Sequence, residues 1–317
     1  MPVLSGCAVS RGEIDGFESL RLSNGLIEAD ILPGLGARIW NLRHNASATQ
    51  WIWHNPKVGL QGFKAGDAYD DVWAGGWEEL FPNDAPGVFD GRSLPDHGEW
   101  WSRSWEYEIL EDTTAKASVV LRLESAASKT RCEKRITIED GSKALKISYR
   151  IENLDDKPLR FLFKQHLALA LGPEHRLELP GGKVELVDPA FGTRLTGIGP
   201  FDWPKAEGKD GRTVDLSALP AEDEDHREFV YVSDLPDGWC GAKNTRTGAS
   251  IRLLFDRKIF PHTWLFMTFG GWRGLYTTVL EPCTNKPKDL EQALKLGQCA
   301  VLPGRKTLEC EVTAELS

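Results

Sequence analysis

On both sides of Asp140-Gly141 the chain alternates from residue to residue. Over residues 131–139, Cys132, Lys134, Ile136 and Ile138 fall on one side. Arg131, Glu133, Arg135, Thr137 and Glu139 fall on the other. After the Asp-Gly pair, Leu145, Ile147, Tyr149 and Ile151 alternate with Lys146, Ser148, Arg150 and Glu152. Successive side chains of a strand point to opposite faces, so a period of two belongs to a half-buried sheet and not to a helix. Asp-Gly between two such runs marks a hairpin, because both residues tolerate positive φ. The pattern commits this part of the chain to antiparallel pairing over a core.

The same pattern recurs along the chain. Asn153 to Pro158 is turn chemistry, and a long strand is expected from about Leu159 to Leu171. The last strand, Thr307–Ala314, turns Leu308, Cys310, Val312 and Ala314 inward. Helical periodicity is scarce. Residues 288–296 carry the best case, with Leu290, Ala293 and Leu294 on one face and Glu291 four residues before Lys295. Residues 172–224 are rich in Gly, Pro and charge and read as long loops. Recurring turn signals without a strong linker predict an all-β fold, a large antiparallel β-sandwich with very few short helices, as one domain over 1–317.

Of 317 residues, 41% are hydrophobic, enough for a large core; 38 Lys and Arg against 47 Asp and Glu give a net charge of −9. An acidic surface without a basic stripe repels a phosphate backbone, so no nucleic acid is expected as a partner. No run of about 18 apolar residues exists to span a bilayer, and the first residues lack a secretory pattern. The six cysteines are scattered without a C-x-x-C pair, which fits reduced thiols in a cytoplasmic protein. Tryptophan is the unusual count: eight of the twelve lie between Trp40 and Trp105.

Three residues stand out as carriers of chemistry. In the strand 159–171, His166 shares its face with Arg160, Leu162, Lys164 and Ala168, opposite a face of Phe161, Phe163, Leu167, Leu169 and Leu171. Such a polar face is either the floor of a cleft or a solvated surface. Glu281 ends an apolar run, on the face of Leu275, Thr277 and Val279. A buried carboxylate there would have a raised pKa suited to a general base; the plain alternative is a charge at a strand mouth reaching water. His97 lies in Leu94-Pro-Asp-His-Gly-Glu-Trp-Trp101, a loop whose tryptophans offer flat faces for a sugar ring or simply pack in the core. No metal-ligand spacing, G-x-S-x-G, P-loop or G-x-G-x-x-G at a helix start is present, so neither metal nor cofactor is expected.

Taken in order, several blocks resemble the aldose 1-epimerase (galactose mutarotase-like) superfamily. They are Leu22 to Ile39 with its Gly-rich turn, Gly75-Gly-Trp-Glu-Glu-Leu-Phe-Pro-Asn83, Asp96-His-Gly98 followed by Arg103, Phe163-Lys-Gln-His166, Leu280-Glu-Pro282 and Leu302-Pro-Gly304. The resemblance spans almost the whole chain. It implies a β-supersandwich with a sugar in a concave cleft and an isomerase that interconverts anomers by acid–base ring opening. Glu281 matches the general base, His166 the general acid, and His97 the histidine near the ring oxygen. The family's substrate-binding aspartate is matched by Asp225 or Asp234. The family's upstream arginine has no counterpart between Arg43 and Arg92. Its sugar contacts are assigned instead to Glu78, Trp77 or Arg103. The carboxylates Glu78 and Glu79 fit a neutral polyol; an anionic sugar would need Arg92, Arg103, Lys164 and Arg273 to converge. The expected partner is a small-molecule sugar, with no membrane and with a monomer or homodimer as the assembly. The alternatives are a non-catalytic carbohydrate-binding protein, or a lyase or hydrolase on the same scaffold.

Overall fold

The computed structural model describes residues 6–64, 66–197 and 199–317; most of the opening stretch read for a secretory pattern lies outside them. Two large antiparallel sheets dominate it, one of twelve strands and one of eight. Eight strands position the site and the core beneath it: β1 (Arg38–His44), β2 (Trp77–Leu80), β3 (Thr130–Glu139), β4 (Ala144–Asn153), β5 (Lys164–Leu169), β6 (His226–Ser233), β7 (His262–Phe269) and β8 (Tyr276–Cys283). The larger sheet contains the contiguous run β1-β2-β5-β8-β7-β6, and the smaller contains β3 and β4.

The alternation about Asp140-Gly141 becomes the β3–β4 hairpin, with positive φ at Gly141 as the turn requires. Cys132 pairs across it with Ile151, and Ile136 with Ile147. Ile138 and Leu145 continue the same inward face, and all six side chains are fully buried. That face also carries Lys134, at 0% exposure. One apolar cluster gathers side chains from both sheets, including Leu20, Ile31, Ile136, Ile147, Phe163 and Leu280.

The expected strand 159–171 is broken. Leu159–Phe161 pairs with Ala300–Leu302, and only Lys164–Leu169 belongs to the larger sheet. Leu162 and Phe163 bridge the two and pack into different apolar clusters. Two short helices follow one another in the chain, α1 at Tyr69–Val72 and α2 at Leu290–Lys295. Asp289 caps α2 by accepting from the Gln292 amide, and Lys295 meets Glu291 at 2.9 Å. Leu290 and Ala293 are buried, whereas Leu294 is 41% exposed, so the apolar stripe is narrower than its sequence predicts. Residues 172–224 hold short strands between long connections, as their composition suggests. Among the described residues no helix is long and apolar enough to cross a membrane, and all six cysteines are free.

Candidate active site

The central strands of the larger sheet place one row of side chains across five strands. β5 meets β2 with His166 opposite Glu78. It meets β8 with Lys164 opposite Cys283 and Leu167 opposite Leu280, so His166 stands level with Glu281. Glu281 faces Trp264 on β7, and Trp264 faces Tyr231 on β6. The row therefore reads Glu78, His166, Glu281, Trp264, Tyr231. Because alternate residues share a face, Lys164 flanks this row on one side and Ala168, Val279, Phe266 and Phe229 form the next row on the other.

A cleft of about 320 Å³ opens over this floor. His166, Glu281 and His97 all line it. Glu281 is 1% exposed, so it is not a charge reaching water at a strand mouth, and His166, at 6%, is not on a solvated face. His97 enters from a loop with φ +59° and is fixed at three points: its amide donates to the Asp84 carbonyl at 2.8 Å, the Glu99 amide donates to the Phe81 carbonyl at 2.7 Å, and its Nδ1 meets Asp96 Oδ1 at 2.8 Å. Gly98 (φ +79°) packs so closely on the Phe81 backbone that a Cβ there would collide with it.

Lys164, two residues before His166 on the same strand face, stands at the centre of the cleft. Its ammonium lies between Asp84 Oδ2, at 2.6 Å, and Glu281 Oε2, in direct contact, and over the Trp264 ring at 4.3 Å. Burial opposes a charge on Lys164, but Asp84 and Glu281 outweigh it and raise its pKa. Burial pushes the Glu281 carboxyl above its ordinary value, and the Lys164 ammonium works against that push. Burial also opposes a charge on His97, yet the Asp84 charge and the Asp96 hydrogen bond prevail and its pKa is raised. His166 goes the other way: burial, then Lys164, His97 and Arg38, drive its pKa well down.

Tyr69 of α1 connects the two histidines. Its ring stacks on His97 with centroids 3.9 Å apart and meets His166 edge-on at 5.6 Å. Its hydroxyl donates to Glu78 Oε1 and lies 3.1 Å from His166 Nδ1. The Tyr69 hydroxyl thus engages Nδ1 of His166, and Nε2 is the ring nitrogen left for the cleft. Glu78 is held from its other oxygen by the fully buried Arg38, whose Nη1 donates to the Gly75 carbonyl at 2.9 Å. Glu78 thus lies beneath the cleft and not in its lining. Arg38, which closes the Gly-rich turn after Leu32, is the arginine this part of the fold uses, and it serves Glu78.

Other sequence candidates fall elsewhere. Trp77 is at 0% exposure in the core, its indole N–H donating to Gln165 Oε1 at 2.9 Å. Arg103 is exposed, and its backbone carbonyl accepts from the Gly36 amide. Asp225 and Asp234 are exposed with left-handed φ of 52° and 53°. None of these four lines the cleft. Glu79 points into the space between the sheets, onto Lys134 and Tyr149. Nor do the basic residues converge: Arg92 binds Asp155, Arg273 binds Asp71, and of the four only Lys164 reaches the cleft. Sequence reasoning missed Tyr69, Asp84 and the aromatic lining Trp73, Phe191, Phe229, Phe266 and Trp272. Lys164 had a signal, its place two residues before His166 on one strand face; Tyr69 had none. Among the described residues no group of three His, Cys, Asp or Glu side chains is placed to hold a metal ion.

No family model matches the chain, and no curated protein matches it. Solved structures do. A galactose mutarotase-like protein from Clostridium acetobutylicum aligns over 98% of this chain and 99% of its own, with a TM-score of 0.71 and 14% identity. A galactose mutarotase-like protein from Lactobacillus casei aligns over 94% and 100%, at 0.61 and 17%. A galactose mutarotase related enzyme from Lactobacillus acidophilus aligns over 94% and 97%, at 0.63 and 12%. At such identities the likeness shows the fold: this chain is an all-β sandwich of the galactose mutarotase-like kind.

Proposed function

We propose that the protein is an aldose 1-epimerase-like isomerase that interconverts the anomers of a sugar, with Glu281 as general base and His166 as general acid. The observation that carries this reading is the pairing of these two groups side by side on β5 and β8 at the floor of a cleft, with His97 facing them from a loop. Anomer exchange needs the O1 proton removed while the ring oxygen gains one. The ring opens to the aldehyde, the C1–C2 bond turns, and closure on the other face reverses the transfers. A buried carboxylate and an imidazole on either side of C1 supply both. Nδ1 is engaged by the Tyr69 hydroxyl, so Nε2 is the nitrogen that works: it carries the proton given to the ring oxygen on opening and regains it on closure. His97, held by Asp96 and drawn towards its charged form, is placed to donate to the oxygen at the anomeric region.

The test is anomer exchange followed by NMR over a panel of neutral hexoses and pentoses, a hexose 6-phosphate and a sulfonated hexose. Acceleration of one sugar is expected, with Glu281→Gln and His166→Ala each lowering the rate at least about 10²-fold while circular dichroism stays unchanged. Near-normal rates in both variants would sink the assignment. A second reading, a binding protein without catalysis, is favoured by one observation: the Lys164 ammonium already occupies an oxygen of Glu281. Sugar binding with no rate effect supports that reading. A product of new mass supports a lyase or hydrolase.

A further inference from the structure

The two halves of the cleft have different chemistry. The titratable lining groups form one neighbourhood. Lys164 joins Asp84 to Glu281, His97 and His166 face each other across Tyr69 with ring centroids 6.4 Å apart, Asp70 feels the charge of His97, and Lys288 feels Asp84. The other half is aromatic. Phe229 and Phe266 are cross-strand partners with centroids 5.6 Å apart. Phe191 packs on Phe266 at 5.6 Å and Trp272 meets Phe266 edge-on at 5.1 Å; Trp73, 6.3 Å from Trp272 and edge-on to His166 at 5.4 Å, stands where the two halves meet. Arg227 fixes this wall. Its guanidinium lies 4.9 Å from the Phe191 ring, and it donates to the carbonyls of Phe191 and Gly271.

One aromatic plane against a sugar's CH face would fit any aldose. Rings that surround one end from the strand floor and from two loops do something else. They pack around a group and have no acceptor or donor of their own to offer its hydroxyl, apart from the Trp73 and Trp272 indole N–H groups. Among the described residues no asparagine, glutamine, serine or threonine lines the cleft, and the one lining hydroxyl, on Tyr69, is spent on Glu78 and His166. A hydroxyl buried there loses its water without replacement, whereas a methyl or larger apolar group gains from burial. An anionic group fares worse against these rings, because the cationic groups of the lining face carboxylates in the other half: Lys164 is shared by Asp84 and Glu281, His97 is held by Asp96, and Lys288 feels Asp84.

We propose that the cleft takes an aldose whose end remote from the anomeric carbon carries an apolar group, a 6-deoxyhexose being the simplest case. This rests on the reading that Glu281 and His166 face the anomeric carbon. The test compares anomer-exchange kcat/KM by NMR for matched pairs, D-fucose with D-galactose and 6-deoxy-D-glucose with D-glucose, alongside D-glucose 6-phosphate. Each pair differs in one hydroxyl. The deoxy member is expected to be favoured at least about tenfold, the range in which apolar pockets distinguish such isosteres. Phe266→Ala and Phe229→Ser, checked for folding by circular dichroism, are expected to bring the ratio towards one. Equal or better turnover of the parent hexose, preference for the phosphate, or an unchanged ratio in both folded variants overturns the inference and leaves the isomerase reading standing. No exchange with any sugar overturns both.

Discussion

Lys164 sets the electrostatics of the cleft, because a buried ammonium beside Glu281 and near His166 lowers the pKa of both. Its removal has a sign that does not depend on which group is acid and which is base. In Lys164→Met both groups lose a neighbouring positive charge, so both titrate at higher pH. The two limbs of the pH–rate profile for anomer exchange should therefore move up together, by about one unit or more for charges this close. A profile that stays in place would show that Lys164 does not tune the pair. The same residue shows what single positions hide. In the sequence Lys164 is one member of a mixed strand face. Only the register with Asp84 and Glu281 makes it the hub of the site. The strand faces of Glu281 and His166 left a cleft and a solvated surface equally open; the structure puts both, with His97, in the lining of the cleft. Trp77 and Arg103 were chosen by proximity to motifs, which says nothing about the face on which a side chain emerges.

At the scale of elements, alternation was readable and interruption was not. The β3–β4 hairpin follows its pattern residue by residue, including the inward Lys134. The stretch from Leu159 reads as one strand because only Leu162 and Gln165 interrupt its alternation. The switch to another sheet at Leu162-Phe163 is imposed by partners far along the chain, at Ala300–Leu302. The α1 turn has too few residues to show a period at all. The loop that carries His97 makes its own prediction. Gly98 lies against the Phe81 backbone with positive φ, so Gly98→Ala must displace the segment on which His97 sits. A loss of about 1–3 kcal/mol in denaturant unfolding is expected from such strain, together with a drop in kcat larger than the change in KM. A variant with wild-type stability and rate would show that the loop tolerates the Cβ and that His97 is not held in this way.

The molecule as a whole joins its two sheets through a buried polar contact as well as through its apolar core. The Lys134 ammonium of the smaller sheet meets Glu79 of the larger at 2.7 Å and the Ala37 carbonyl at 3.0 Å. Tyr149 donates to Glu79 at 2.6 Å. Lys134→Met would leave the Glu79 carboxylate buried with one donor. A loss of about 3–5 kcal/mol in denaturant unfolding is expected, with the exchange rate of the folded protein unaltered because the pair faces away from the cleft. Unchanged stability would show that the pair contributes nothing net. The layered sandwich was legible from the recurring period, whereas the pairing of Lys134 with a glutamate 55 residues away is a property of the assembled sheets. Glu78 and Glu79 are neighbours in the chain, yet one supports the cleft through Tyr69 and the other holds the two sheets together. Gln165 and His166 divide the same two duties on β5. Descent with modification is therefore constrained here: a single-residue insertion or deletion in β2 or β5 would exchange the two duties and damage both at once. The loops that bear Phe191 and Trp272 stand outside this constraint, since their length can change without moving either glutamate.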